Sequence, residues 1–347
     1  MTGKHRYLGG EPYKLDFAGT DWVKFKTVNY STDNNSFEQI GGSIEFCTDA
    51  PTFEINLGGS TAPFRLWCEE DGELRLVSQP IHHVDAANNH VIVDFSAISD
   101  IPTARKFRVD LGAGGAAGFF SGITTSVLHD VWRPAGANPI RCIVAGDSFV
   151  EGTTSDGVPN DVMGLSGLVN HMGWHLGLDD VWASGSGGTG WLRANGNRVA
   201  LSDRFQRDVI DHAPDLAIIA MGVNDGEQNP GQVQTVVATW CAKFRQALPT
   251  SPLFIVAPWS PQGSGPLDIR TAIIAGAQTE NSGRTFVIDP AVPGSEWQWP
   301  APGHQGMTTG VGNGDWVVDN GGTHPSVAGH AYLGARLANA IREKLAA

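Results

Sequence analysis

The sequence contains little cysteine, and no cysteine pair has the spacing of a metal or redox site. Its four cysteines, Cys47, Cys68, Cys142 and Cys241, are scattered along 347 residues without a CxxC motif. Cys142 lies in the apolar run IRCIVAG, so we expect a buried small hydrophobic residue there. Cys47 and Cys68 lie on neighbouring predicted strands, where a disulfide and two free thiols are both open alternatives.

Long apolar runs and clusters of basic residues are missing as well. The first 14 residues lack the apolar stretch of a signal peptide, and no run approaches transmembrane length, so we expect a soluble protein. A cytoplasmic protein and a secreted one whose signal has been removed are both compatible with this. The formal net charge is -13 and Lys and Arg are dispersed, which argues against nucleic-acid and membrane partners.

Two patterns of periodicity divide the chain, and its length also favours two domains. Residues 13 to about 130 carry short alternating segments such as SIEFCT, TFEINLG and RKFRVDLG, bounded by Gly, Pro, Asn or Asp. This pattern predicts an all-β, jelly-roll-like sandwich domain over 1–135. The proline-containing segment 131–139 is interpreted as the linker into a second domain over 136–347.

From Pro139 onwards, apolar runs alternate with segments of helical periodicity. The runs IRCIVAG, DVWAS, DLAIIAMG, LFIVAP and TFVID predict five strands of a parallel sheet buried on both faces. The intervening segments place apolar residues at helical spacing, which predicts an α/β/α three-layer sandwich. Functional residues in such folds follow the carboxyl ends of the strands.

Four short motifs follow those strand ends or precede the last helix. They are GDS around Ser148, GSGG ending at Gly188, GVND containing Asn224, and THPS containing His324. In this order they resemble the blocks of the SGNH (GDSL-like) hydrolase family over residues 139–347. The preceding β domain is similar in arrangement to the second carbohydrate esterase family. The resemblance implies that Ser148 is the nucleophile and His324 its base.

The chemistry of these residue types agrees with the resemblance. A serine hydroxyl needs an adjacent base, and a histidine with a pKa near neutrality can accept its proton and return it to the leaving alcohol. The backbone N–H groups of Ser148 and Gly188 and the side-chain amide of Asn224 are the expected oxyanion donors. Asp225 is expected to be structural, and His330 a packing residue.

One position departs from the family pattern. The family usually places an acid three residues before the histidine, and here that residue is Gly321. The nearest acid, Asp319, lies five residues before His324 and could reach it through a bulge. A Ser148–His324–Asp319 triad and a Ser-His dyad therefore both remain hypotheses.

Tryptophans near the expected cleft are candidate substrate-binding residues. Trp259 follows the fourth strand, and Trp297 and Trp299 lie in the segment 290–323, which has no regular periodicity. Long irregular segments inside compact domains are often functional. These rings could stack on a sugar, line an acyl pocket, or simply cover the core.

The sequence thus predicts a serine esterase that acts on short-chain acyl esters, chiefly acetyl, of a carbohydrate or small molecule. We expect no cofactor and no metal site, since His171 and His175 have no third ligand. General carboxylesterase, lipase, thioesterase or acyltransferase activity on small esters is the alternative within this chemistry. A non-catalytic glycan-binding module is the alternative of another class. A nucleotide-binding protein is disfavoured because neither GxGxxG nor GxxxxGK[ST] follows the first strand.

Overall fold

The structure is a computed structural model in which the chain forms two compact units. It describes residues 3–347 except 18–19, 27–28, 31–36, 39–40, 59–62, 78–81, 84–87, 100, 113–118, 137, 158–159, 259–266, 293–302 and 311. One unit comprises residues 1–27 and 38–138, and the other comprises residues 28–37 and 139–347.

The first unit is an antiparallel sandwich of two sheets. The larger sheet has the strand order β1-β6-β12-β8-β10, with β14 beside β6 and β9 beside β8, and the smaller has the order β11-β7-β13-β3-β2. The strands are β1 (Arg6–Leu8), β2 (Glu11–Phe17), β3 (Thr20–Lys26), β6 (Gly42–Thr48), β7 (Thr52–Gly58), β8 (Pro63–Glu70), β9 (Glu73–Leu76), β10 (His82–His83), β11 (Asn88–Asp94), β12 (Arg105–Leu111), β13 (Phe119–Thr124) and β14 (Val131–Trp132). A separate two-stranded sheet joins β4 (Asn29–Tyr30) and β5 (Phe37–Glu38).

The alternation read from the sequence explains the sandwich. In β7 the residues Phe53, Ile55 and Leu57 are buried, whereas Glu54 and Asn56 between them are half-buried. Side chains that alternate along a strand face opposite sides of a sheet, so the apolar set of each strand reaches one core. That core joins both sheets and includes the stacked rings of Phe46 and Phe107.

Two details of this unit go beyond the sequence analysis. Val131 and Trp132, assigned above to the linker, instead form β14 and pair with Thr48 and Cys47. Pro134 and Pro139, which follow these two residues, favoured a linker in the sequence and gave no indication of the short strand before them. All four cysteines are free thiols, and β12 lies between the strands that carry Cys47 and Cys68.

The second unit is built on a five-stranded parallel sheet with the order β16-β15-β17-β18-β19. Its strands are β15 (Arg141–Gly146), β16 (Asp180–Gly185), β17 (Leu216–Ala220), β18 (Leu253–Val256) and β19 (Thr285–Ile288). Its helices are α1 (Ser148–Glu151), α2 (Asn160–Ser166), α3 (Leu168–Leu176), α4 (Leu201–Asp208), α5 (Pro230–Ala247), α6 (Leu267–Ala277), α7 (Gly314–Val317) and α8 (Val327–Ala346). The five strands are those predicted from the apolar runs.

Some helix boundaries differ from the periodicity. Apolar residues have the spacing of one continuous helix over 164–178, but the helix is interrupted at Gly167, which is the N-cap of α3 and has an extended conformation. The segment 199–213 also has the spacing of one helix, but α4 ends at Asp208 and a 3-10 turn follows at Ile210–His212. Among the described residues, no helix combines the length and apolarity needed to cross a membrane.

Candidate active site

Ser148 lies at a tight turn between β15 and α1. The strand ends at Gly146, and Asp147 caps the helix by accepting the Phe149 N–H at 3.1 Å. A Cβ at position 146 would collide with the Val150 side chain and the Ala220 carbonyl, so only glycine fits there. Ser148 is the first residue of α1, where backbone N–H groups have no partner within the helix. The turn therefore presents both a hydroxyl and a backbone N–H donor at the carboxyl end of β15.

The imidazole of His324 faces that hydroxyl. Its Nε2 lies 3.0 Å from the Ser148 Oγ, which is hydrogen-bonding distance. The ring also packs edge-on against Phe149, with 6.0 Å between the centroids. His324 lies just before α8, whose N-terminus is capped by Ser326. The sequence motifs GDS and THPS are thus brought together.

Burial lowers the pKa of His324 below its ordinary value of 6.5, and the nearby Asp319 carboxylate opposes this shift. The imidazole is therefore mainly neutral at pH 7 and able to accept a proton. Neutral histidine carries its proton on one nitrogen only. For Nε2 to accept from Ser148, that proton has to be on Nδ1, the atom nearer to Asp319.

Asp319 reaches the site through a tight loop. Its backbone N–H donates to the His324 carbonyl at 2.9 Å, and Gly322, at a positive φ of 70°, donates to the Asp319 carbonyl at 2.9 Å. This turn accommodates the five-residue spacing that differs from the family pattern. The buried Asp319 carboxylate lies 3.8 Å from His324 Nδ1, which is ion-pairing distance but too long for a hydrogen bond.

The carboxylate of Asp319 is held by backbone donors instead. It accepts the N–H of Thr323 at 3.1 Å, of His324 at 3.2 Å and of Ser155 at 2.8 Å. Ser155 belongs to the segment after α1, so Asp319 connects the histidine loop to the nucleophile side of the unit. The Asp319 charge raises the pKa of His324, and its hydrogen bonds hold the loop that carries His324 in place.

Gly188 and Asn224 lie on the neighbouring loops. Gly188 has a φ of 73°, in the left-handed region that favours glycine. The Asn224 side-chain amide donates to the Thr189 carbonyl at 2.9 Å, which orients it beside the glycine loop. An amide nitrogen has two hydrogens, so the second can donate to an oxyanion.

Asp225 supports this region from below. It is completely buried and accepts the backbone N–H groups of Trp191 at 2.6 Å and of Leu192 and Arg193 at 3.0 Å each. Desolvation raises its pKa, and these hydrogen bonds oppose the rise. These hydrogen bonds hold the loop after Gly188 against Asp225, which lies in the segment after β17.

A second buried group under the site was not identified from the sequence. Arg204 on α4 is fully buried and donates to the Gly146 carbonyl at 2.8 Å and to the Ser184 carbonyl at 3.2 Å. It also forms an ion pair with the buried Asp208 at 2.9 Å. In the sequence Arg204 looks like one charge of a solvated helix face. It joins the carboxyl ends of β15 and β16, the strands that precede Ser148 and Gly188.

The remaining sequence candidates lie elsewhere. Trp259, Trp297 and Trp299 lie outside the described residues. His330 is buried and bridges the Leu168 N–H at 3.3 Å and the Thr153 carbonyl at 3.1 Å. Within the described part of the chain, no group of three or more His, Cys, Asp or Glu residues has a metal-binding arrangement.

The fold and the strand-end motifs define an α/β/α hydrolase domain. The family model described as GDSL-like Lipase/Acylhydrolase matches residues 144–332, which is more than half of the chain. The chain belongs to this family, and membership supports a hydrolase of the esterase class. The family predicted from the motifs is thus confirmed. A comparison with curated proteins finds no match.

Solved structures resemble the chain over both units. A family two carbohydrate esterase from Clostridium thermocellum, in complex with cellohexaose, is 17% identical with a TM-score of 0.61, over 93% of this chain and 99% of that one. An acetyl xylan esterase from Butyrivibrio proteoclasticus is 13% identical with a TM-score of 0.60, over 99% of both chains. A salicylyl-acyltransferase from a tetracycline biosynthetic pathway is 15% identical with a TM-score of 0.65, over 99% of this chain and 94% of that one. Identities this low show the shared fold, and the fold class predicted from the sequence is confirmed.

Proposed function

We propose that the protein is a serine esterase that removes short acyl groups, chiefly acetyl, from a carbohydrate through an acyl-Ser148 intermediate. The observation that carries this proposal is the 3.0 Å contact between His324 Nε2 and Ser148 Oγ, beside the loops of Gly188 and Asn224. A nucleophile and base at this distance are the common feature of acyl-transfer sites.

The mechanism follows from the positions of these groups. His324 Nε2 takes the hydroxyl proton while Ser148 Oγ forms a bond to the ester carbonyl carbon. The carbonyl oxygen becomes an oxyanion, to which the Ser148 and Gly188 N–H groups and the Asn224 amide donate. The carbon–oxygen bond to the alcohol then breaks, and the alcohol leaves with the proton from His324. Water attacks the acyl-serine by the same route and releases the acid.

A small acyl group is favoured by the apolar side chains near the nucleophile. A small cavity is lined by the two neighbours of Ser148 and by residues at the carboxyl ends of β17 and β18. Its lining residues are Asp147, Phe149, Ala220, Met221, Val223 and Pro258. Most of these side chains are apolar, which suits a methyl or short alkyl group.

The carbohydrate part of the proposal rests on the structural neighbours, two of which are a carbohydrate esterase and an acetyl xylan esterase. The direct test is an acyl-chain profile on matched substrates. We expect kcat/KM to fall steeply from acetyl to longer acyl chains, and acetylated sugars to exceed simple aryl acetates. A preference for long chains, or for aryl esters over acetylated sugars, would contradict the proposal.

Acyl transfer is a second candidate, favoured by the likeness to the salicylyl-acyltransferase. The two outcomes differ only in whether water or another nucleophile attacks the acyl-serine. Product analysis in the presence of sugar and small alcohol acceptors separates them. Free acid as the main product supports the esterase. Formation of acylated acceptor, even when the acceptor is supplied at low concentration, supports the transferase.

A further inference from the structure

The peptide bond between Gly187 and Gly188 has its carbonyl side fixed by a side chain from the following loop. Asn195 Nδ2 donates to the Gly187 carbonyl at 3.1 Å. In a trans peptide the carbonyl and the N–H of the next residue point in opposite directions in one plane. A donor that fixes the Gly187 carbonyl therefore also fixes the direction of the Gly188 N–H.

Asn195 is itself held in a tight turn. Its backbone N–H donates to the Arg198 carbonyl at 2.9 Å, and the Arg198 N–H donates back to the Asn195 carbonyl at 3.0 Å. Gly196, at the first central position of this turn, has a φ of 57°. A two-residue turn closed by both backbone bonds leaves the Asn195 Cα little freedom. The Asn195 side chain is therefore attached to a backbone position that the turn holds in place.

The turn is anchored to the helix of the nucleophile. Arg198 forms an ion pair with Glu151 at 2.9 Å, and both side chains are mostly buried. Glu151 lies on α1, one turn after Ser148. A continuous series of contacts therefore runs from α1 through Arg198 and Asn195 to the Gly187–Gly188 peptide. This series of contacts connects α1, which contains Ser148, with the loop that contains Gly188, and these two residues supply the proposed backbone oxyanion donors.

The side chains of this series of contacts pack closely against both glycines. A Cβ at Gly187 would collide with the Arg198 guanidinium and the Glu151 carboxylate. A Cβ at Gly188 would collide with the Asn195 amide. The contacts that orient the peptide thus occupy the space where side chains would otherwise stand.

We propose that Asn195, anchored through Arg198 to Glu151, is a positioning residue that directs the Gly188 N–H toward the oxyanion. This inference rests on the proposed function, because it requires that Gly188 donates in acyl transfer. In this role Asn195 acts on the reaction through its hydrogen bond to the Gly187 carbonyl. Its effect is to keep a donor oriented before the reaction, which is where oxyanion stabilisation originates. The hydrogen bond also polarises the peptide and strengthens its donor.

The test compares Asn195→Ala with Asn197→Ala, an exposed asparagine in the same turn. We expect Asn195→Ala to lower kcat about tenfold, the loss of one oriented hydrogen bond, with KM within about twofold. Asn195→Asp should lose at least as much, because a carboxylate cannot donate to a carbonyl. Asn197→Ala should retain the wild-type kcat. Equal kcat values for Asn195→Ala and Asn197→Ala would overturn the proposal.

Two further measurements separate positioning from stability and from the proposed function. A purely structural role would lower Tm and leave kcat of the folded protein unchanged, which would also overturn the proposal. If Asn195→Ala does not fold, Asn195→Asp and Arg198→Met take its place, with a loss in kcat expected for both. The rate of Ser148 labelling by a fluorophosphonate is measured in parallel. An unlabelled wild type refutes the proposed function itself, whereas equal rates in wild type and Asn195→Ala refute only the positioning role.

Discussion

His324 Nε2 and Ser148 Oγ are 3.0 Å apart, although 176 positions separate the two residues in the chain. Each is fixed by its own local structure: Ser148 by the capped turn into α1, and His324 by the Asp319 loop and the capped start of α8. Their meeting follows from the parallel sheet, because its carboxyl ends gather the loops that carry them. The pair is therefore a property of the fold as much as of the motifs.

The lowered pKa of His324 gives a direct expectation for the pH dependence of catalysis. The base acts in its neutral form, so activity rises with pH through its pKa. Because burial lowers this pKa, we expect the acidic limb of kcat/KM to titrate below pH 6.5. Asp319→Asn removes a nearby negative charge that raises the pKa of His324, so the limb should move to still lower pH. A limb that stays in place, with a loss in activity under tenfold, would remove Asp319 from the site.

Asn224 tests the oxyanion hole. Its amide serves a charge that exists only in the transition state and intermediate, so Asn224→Ala should lower kcat about 10²- to 10³-fold and change KM little. Steady-state kinetics on an acetyl ester measures both constants. A rise in KM with unchanged kcat would mean that Asn224 binds the ground state instead.

Asp147 should make stability depend on pH. Burial raises its pKa to about 7, and the neighbouring Asp225 carboxylate adds to the rise. The folded state therefore holds a proton that the unfolded state releases near pH 4, and this contribution to stability is lost as pH rises from about 4 to 7. Asp147→Asn keeps the acceptor for the Phe149 N–H and does not titrate.

We expect urea unfolding to show that the free energy of unfolding of Asp147→Asn increases relative to that of the wild type as pH rises from about 4 to 7. The comparison uses the difference in unfolding free energy at each pH, so the titrations of groups that do not interact with Asp147 cancel. A constant difference from pH 4 to 7 would show that Asp147 titrates normally.

Arg204 tests the support beneath the site. Its side chain and that of Asp208 are fully buried. Removing Arg204 takes away the buried one of the two cations that pair with Asp208, together with the hydrogen bonds to the Gly146 and Ser184 carbonyls, and such losses are costly in a buried site. Arg204→Met should lower the free energy of unfolding by about 3–5 kcal/mol. Arg207→Met is the matched control, since Arg207 also pairs with Asp208 but is 42% exposed, and it should cost about 1 kcal/mol or less. Equal losses would contradict the structural role of Arg204.

Much of this fold could be predicted because its signals are local. The run IRCIVAG is apolar without interruption, as a strand buried on both faces requires, and Phe53, Ile55 and Leu57 alternate as a sandwich strand requires. The motifs around Ser148 and His324 are short, and the rule about strand ends indicates where to look. Each inference needs only neighbouring residues.

The supporting residues depend on distant partners, and for that reason sequence reasoning missed them. Arg204 looks solvated until the Gly146 and Ser184 carbonyls are placed beside it. Asn195 stands in an ordinary turn until the Gly187 carbonyl meets its amide. Asp319 was left uncertain because spacing alone does not reveal the turn at Gly322 that shortens the path to His324. The feature closest to a signal is the density of glycine, which marks where such close contacts occur.

The most direct test of the account is covalent labelling of the intact protein by a fluorophosphonate, with the modified residue identified by mass spectrometry. We expect one label, on Ser148, lost in Ser148→Ala and strongly slowed in His324→Ala. A folded wild-type protein that resists the reagent, or a label on another serine, would contradict the assignment of Ser148 as nucleophile.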